Sequence, residues 1–169
     1  NYKIAYCAAL TEAGGYCQDT RLVEIIKFMH RAGYKKIGIA FCTGLFKETQ
    51  EVVNILEYNG FEVVSIICKN GAITKDFLGL TDEQSVHGSC KNESMCNPIG
   101  QALFLNEQQT DFNLMIGLCV GHDTLFMKYA KAPRHRPQPT GGGLSGAGLL
   151  QQKVLSGRPG GAESSRHRI

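Results

Sequence analysis

Four of the seven cysteines lie where predicted strands end or where a predicted helix begins. Cys42, Cys68 and Cys119 each follow a short apolar run typical of a buried parallel strand, and Cys96 lies just ahead of a helix. The carboxyl ends of parallel strands meet at one edge of a sheet, where ligands bind in open α/β folds. Neighbouring strands are about 4.8 Å apart. We therefore predict that these four thiols converge on one centre.

Thiolates of this kind bind zinc or iron–sulfur clusters. A tetrahedral zinc ion takes sulfur ligands at about 2.3 Å, and iron–sulfur clusters are held by the same donors. The intervals between the four cysteines are 26, 28 and 23 residues, so no CxxC pair identifies the metal. Zinc and an iron–sulfur cluster both stay open as the cofactor. Buried core thiols are the alternative interpretation, since free cysteine is among the most buried residue types.

The three other cysteines have less informative positions. Cys90 lies six residues before Cys96 in a predicted loop, where it is a spare ligand, a redox partner or neither. Cys7 and Cys17 fall on an N-terminal helical segment, where core packing is the favoured interpretation. An odd number of cysteines without a secretory signal indicates reduced thiols in the cytoplasm rather than a disulfide framework.

The turn from Cys119 to Asp123 offers a second chemistry. A thiolate near a helix N-terminus can act as a nucleophile, with His122 as its base and Asp123 orienting the histidine. His122 could equally bind a metal or hydrogen-bond within the turn, and Asp123 is favoured as a carboxylate at a helix start. A histidine only three residues from the cysteine is an unusual partner, so this Cys-dependent enzyme ranks below the metal site.

The elements that position these residues alternate along the chain. Apolar residues at helical spacing, with capping residues and terminal glycines, predict helices over residues 20–33, 45–59, 98–109 and 123–130. Buried strands are predicted over 37–41, 61–67 and 113–118, and a long functional loop with a short helix over 71–94. Such alternation predicts an α/β Rossmann-like three-layer sandwich with a small, mostly parallel sheet.

The charge is divided unevenly along the chain. Residues 1–131 hold 12 Lys and Arg against 14 Asp and Glu, a net charge of −2, whereas residues 132–169 hold 6 against 1. We predict one α/β domain over 1–133 and an irregular basic Gly/Pro/Arg-rich tail over 134–169. The tail lacks aromatics and a lysine cluster, so nucleic-acid binding is disfavoured. No apolar run approaches the roughly 20 residues of a membrane-spanning helix.

Three sequence blocks carry a family resemblance. GIAFCTGL near residue 42, MCNPI near residue 96 and GLCVGHD near residue 119 resemble, in order, a prokaryotic family of unknown function whose members are described as metal-binding proteins. The resemblance extends over residues 16–133 and implies no particular reaction. It implies that the family's characteristic positions are Cys42, Cys68, Cys96, Cys119, His122 and Asp123.

The chain departs from that family after residue 133. The family continues with a Val/Thr-rich strand, whereas this chain reads Arg-His-Arg-Pro-Gln. If the codons of that run are CGT CAC CGC CCT CAA, reading them one base later gives Val-Thr-Ala-Leu. Our hypothesis is that residues 134–169 are a frameshifted reading, and sequencing the coding DNA around Pro133 tests it.

Overall fold

The computed structural model describes residues 1–135 and contains a parallel four-stranded sheet. The strands are β1 (Lys36–Phe41), β2 (Glu62–Ile67), β3 (Phe112–Ile116) and β4 (Arg134–His135), in the order β2-β1-β3-β4. Each neighbouring pair of strands runs parallel. The predicted α/β class is confirmed. The remainder of the predicted tail, residues 136–169, lies outside the described residues.

Five α-helices connect and flank these strands within residues 1–135. They are α1 (Tyr2–Gly15), α2 (Arg21–Ala32), α3 (Phe46–Tyr58), α4 (Pro98–Glu107) and α5 (His122–Tyr129). Helix α2 ends as its sequence predicts, because Gly33 adopts a left-handed conformation and its N–H donates to the carbonyl oxygen of His30. In the part of the chain that the structure describes, no helix has the length and apolar character needed to cross a membrane.

The core lies on both faces of the sheet, which makes three layers. Alternate residues of β1 point to opposite faces, so Ile39 packs in a cluster with α2 and α3, and Ala40 packs with α4 and α5. The first cluster is rich in Ile, Leu and Phe, while the second contains the buried thiol of Cys68. The cysteine at the end of β2 is therefore part of the core.

The strand β4 begins where the sequence predicts the domain to end. Arg134 pairs with Asn113 and His135 with Leu114, and the N–H of Asn113 donates to the carbonyl of Pro133 at 2.9 Å. The side-chain pattern gives no sign of this strand. Pairing at a sheet edge uses backbone groups, which every residue other than proline offers in full.

The long segment between β2 and α4 is held together by one buried carboxylate. Glu93 pairs with Lys75 at 2.5 Å and accepts hydrogen bonds from the backbone N–H groups of Val86 and His87. These contacts and short 3₁₀ turns order a region that the sequence predicts as a loop. Its two ends therefore stay close to the edge of the sheet where Cys68 and Cys96 lie.

Candidate four-cysteine site

Cys42, Cys68, Cys96 and Cys119 are neighbours in the folded chain. Burial raises the pKa of the Cys42 thiol, and the charges of Cys68 and Cys119 and a hydrogen bond with Cys68 raise it further. Burial, Cys68 and Cys119 likewise raise the pKa of Cys96 to about 11. Cys42 and Cys96 each hydrogen-bond with Cys68, and Cys119 is close enough to raise the pKa of both, so the four side chains lie near one another.

The cluster extends from the core to the surface. Cys68 is 2% exposed, Cys42 and Cys96 are half-buried, and Cys119 is exposed. Backbone donors face the inner sulfurs: the N–H of Thr43 donates to the Cys68 sulfur at 3.4 Å, and the N–H of Gly44 hydrogen-bonds to Cys42. Because N–H donors stabilise a thiolate over a thiol, they favour the form that binds metals.

Backbone hydrogen bonds fix the positions of Cys42, Cys68 and the segment that carries Cys96. The N–H of Cys42 donates to the carbonyl of Ile116 at 3.0 Å, which extends the pairing of β1 and β3 by one residue. The carbonyl of Cys68 accepts from the N–H of Asn97 at 2.7 Å, so the segment carrying Cys96 is held against the end of β2. The end of β1 is therefore tied to β3, and the Cys96 segment to the end of β2.

Two asparagines complete this arrangement. Asn97 caps α4, since its side-chain oxygen accepts from the N–H of Gly100 at 2.8 Å. Asn70 donates to the carbonyls of Ile67 and Asn97, at 3.0 and 3.1 Å. An asparagine directly before Pro98 is typical of a helix start, whereas Asn70 is missed from the sequence. Its only signal is its place in a Lys-Asn-Gly turn two residues after Cys68.

His122 and Asp123 begin α5 beside Cys119. Asp123 is buried, and its carboxylate accepts from the N–H groups of Gly121 and Thr124 at 3.0 and 2.8 Å, as a carboxylate at a helix start does. The N–H of His122 donates to the carbonyl of Cys119 at 3.0 Å. Within residues 1–135 the buried Nδ1 of His122 has no hydrogen-bond partner.

The other three cysteines take no part in the cluster's contacts described above. Cys90 is buried in the long loop, where its thiol donates to the carbonyl of Thr81 at 2.8 Å. Cys7 is buried in α1, as predicted. The prediction of core packing for Cys17 is wrong, because α1 ends at Gly15 and Cys17 follows in an exposed turn with φ of 57°.

The cluster is not arranged as a finished metal site. Among residues 1–135, no group of three or more His, Cys, Asp or Glu side chains is positioned to hold a metal ion. The thiols are close neighbours and they offer the soft donor set that zinc and iron–sulfur clusters take. The structure therefore supplies sulfur donors of the right kind and brings them near one another.

Residues 1–135 match a family described as a protein of unknown function, DUF1847. The chain belongs to this family. An uncharacterized protein of Methanocaldococcus jannaschii, MJ0455, is 50% identical over 133 residues, which are 79% of this chain and 66% of that relative. The match thus spans just under two thirds of the relative's length. No solved structure matches the chain.

These findings agree with the resemblance to a family of unknown function. Neither the DUF1847 family nor this relative is described as metal-binding. The feature of this DUF1847 chain that bears on its function is the cysteine cluster.

Proposed function

We propose that this chain binds a thiolate-coordinated metal centre, a zinc ion or an iron–sulfur cluster, through Cys42, Cys68, Cys96 and Cys119. One observation carries the proposal: at one edge of the sheet, the Cys42 and Cys96 thiols each hydrogen-bond with Cys68 and lie close enough to Cys119 for it to raise their pKa. Such thiols stay reduced in the cytoplasm, the compartment we propose for this chain.

The crowding of the thiols supports a cation as their partner. In the metal-free cluster, burial and neighbouring thiols disfavour the charged form, so the pKa values of Cys42 and Cys96 are raised. A divalent cation reverses this balance, because it attracts the thiolates and displaces their protons. The close approach of the thiols, which contributes to these raised pKa values, therefore also offers several sulfur donors to one cation.

The remaining adjustment is confined to the cysteine side chains. The backbone positions of Cys42, Cys68 and the Cys96 segment are set by strand pairing and by the Asn97 hydrogen bond. A cysteine sulfur moves by rotation about one bond, χ1, among staggered positions. We propose that binding rotates the sulfurs toward one centre without changing the fold.

The exposure of Cys119 bears on the role of the centre. A structural four-cysteine zinc site is normally closed, whereas one solvent-facing ligand leaves a position for exchange or for a redox partner. We propose metal handling or redox chemistry rather than a purely structural site.

The test begins with elemental analysis and a visible spectrum of the full chain, purified without oxygen. If the metal is zinc, the protein is colourless and contains zinc in a stoichiometric amount. If it is an iron–sulfur cluster, the protein contains iron and sulfide and absorbs visible light. Serine variants of Cys42, Cys68 and Cys96 should lose metal and Cys119→Ser should bind it more weakly, while Cys17→Ser and Cys90→Ser, the matched controls, should retain it. A folded protein that takes up neither zinc nor a cluster on reconstitution, with all four thiols freely titratable, would contradict the proposal.

A second candidate function is a metal-free enzyme that uses Cys119 as nucleophile and His122 as base. Its supporting observation is that Cys119 is the exposed thiol of the four and shares a turn with a histidine whose Nδ1 has no partner in residues 1–135. Against it, the Asp123 carboxylate accepts backbone N–H groups of the turn. The test is selective alkylation of Cys119 at neutral pH, in protein with and without added metal. Alkylation that the metal does not slow would favour the enzyme, because it would show that Cys119 does not bind the metal.

A further inference from the structure

A buried amide connects the strand ends that carry two of the cysteines. Gln101, on α4, is completely buried, and its Nε2 donates to the carbonyl of Ile66 at 2.9 Å and to that of Phe41 at 3.3 Å. Phe41 directly precedes Cys42, and Ile66 lies two residues before Cys68. One side chain therefore spans the ends of β1 and β2.

The same side chain is also linked to the third cysteine. Cys96 lies five residues before Gln101, and α4 begins two residues after Cys96. Any movement of α4 therefore moves Cys96 and the amide together. We propose that Gln101 is a positioning residue that fixes the spacing of Cys42, Cys68 and Cys96. This inference rests on the proposed metal site.

Packing alone does not account for an amide at this position. The Gln101 Oε1 is buried without a hydrogen-bond partner in the described chain, and an unsatisfied buried acceptor disfavours the folded state. Two other buried residues of α4, Ala102 and Leu105, belong to the apolar cluster on this face of the sheet. A side chain chosen for packing alone would be apolar as well, so the two donated hydrogen bonds are the feature that Gln101 contributes.

Spacing of this kind affects metal affinity directly. The residues of a binding site must be held within about 0.5 Å of the geometry in which they bind the ligand. Residues that orient metal ligands without touching the metal typically change affinity by about 10–100-fold when they are replaced. We therefore expect replacement of Gln101 to weaken metal binding by at least about tenfold.

The experiment titrates Co²⁺ into the reduced full chain and into Gln101→Met and Gln101→Leu, which keep much of the volume but remove the donor. Both variants should bind Co²⁺ at least about tenfold more weakly and lose intensity in the tetrahedral cobalt bands. Leu105→Ala is the matched control, because Leu105 is buried one turn further along α4 and donates no hydrogen bond. It should lower the melting temperature yet keep the Co²⁺ affinity within about threefold of wild type.

A metal-free measurement separates this inference from the proposed function. In a chain that retains only Cys42 and Cys68, diamide takes two electrons and two protons from the pair to form a disulfide, and Gln101→Met should slow that step. If the wild type binds no Co²⁺ but the variant still slows cross-linking, the metal proposal fails and the positioning role stands. Unchanged affinity and unchanged cross-linking, or failure of both variants to fold, would assign Gln101 to stability alone and overturn the inference.

Discussion

The backbone N–H of Thr43, just after β1, donates a hydrogen bond of 3.4 Å to the sulfur of Cys68, just after β2. This contact joins two strand ends through a thiol that is only 2% exposed. A sulfur so deeply buried accepts hydrogen bonds from protein donors rather than from water. Cys68 also hydrogen-bonds with both Cys42 and Cys96, so it lies at the centre of the cluster.

We predict that Cys68→Ser impairs zinc binding far more than Cys119→Ser. Loss of the exposed Cys119 leaves three thiolates, and water can take the fourth position as it does in open zinc sites. Loss of Cys68 removes the ligand that both Cys42 and Cys96 contact, in a place that water does not reach. Competition with a chromophoric chelator measures both affinities. Equal losses in the two variants would show that Cys68 has no central role.

Asn97→Ala should destabilise the protein by about 1 kcal/mol, because it removes the side chain that caps α4. Urea denaturation measures this free energy of unfolding. Asn54→Ala is the matched control: Asn54 is an exposed asparagine within α3, and its removal should change stability by less than about 0.5 kcal/mol. A similar effect in both variants would mean that the cap contributes nothing specific.

Gly38→Ala, a substitution within β1, should strongly destabilise the protein. A Cβ at Gly38 would overlap the side-chain oxygen of Asn113 on the paired strand and lie 3.0 Å from Leu105 Cδ1. Overpacking of this kind typically costs about 1–3 kcal/mol. Gly44→Ala is the control, since its Cβ would meet only the Cys42 sulfur at 3.9 Å.

A double-mutant cycle locates the cause of the Gly38 effect. With Asn113→Ala already present, the overlapping oxygen is gone, so Gly38→Ala should cost less by at least about 0.5 kcal/mol. The measurement is thermal or urea unfolding of the two single variants and the double variant. Simple additivity would indicate that the overlap is with Leu105 or the backbone instead.

Asp111→Asn should reduce stability in a pH-dependent way. The N–H groups of Lys36 and Lys35 donate to the Asp111 carboxylate at 2.9 and 2.8 Å, and these two hydrogen bonds hold its pKa below the usual 3.8. A lowered pKa in the folded state means that the carboxylate stabilises the fold above pH 3.8. That stabilisation is lost as the pH falls through the lowered value.

At pH 7 we expect Asp111→Asn to cost about 1 kcal/mol, a modest figure because the carboxylate is exposed and screened by water. The difference from wild type should shrink as the pH drops below 3.8. Glu62→Gln, which breaks only the exposed Lys36 ion pair, should cost less than about 0.5 kcal/mol at pH 7. A constant difference for Asp111→Asn across the pH range would exclude the charge as the cause.

The elements that position the site could be predicted from the sequence because their signals are local. The apolar run that ends at Phe41 predicts β1, and Gly33 predicts the end of α2, since both depend on residues that are adjacent in the chain. The positions of Cys42 and Cys68 at strand ends follow from the same patterns, so their meeting at one edge could be expected from the rule for parallel strands.

The contacts that shape the site depend on residues far apart in the chain. In the sequence, Gln101 is an ordinary helix residue. No neighbouring residue indicates that its amide donates to carbonyls 60 and 35 positions away. Cys90 and Cys96 are close in sequence, yet Cys90 is held within the loop by the carbonyl of Thr81. Spacing along the chain does not distinguish these outcomes.

The sequence by itself determined the α/β class, the order of the elements and which cysteines stand at strand ends, because periodicity and turn residues act over a few positions. Only the tertiary structure decided the pairing of β4 with β3, the amide bridge of Gln101 and the burial of Cys68 beneath an exposed Cys119. These features arise when distant segments pack together, and the free energy of a hydrogen bond or a buried thiol depends on which groups then surround it.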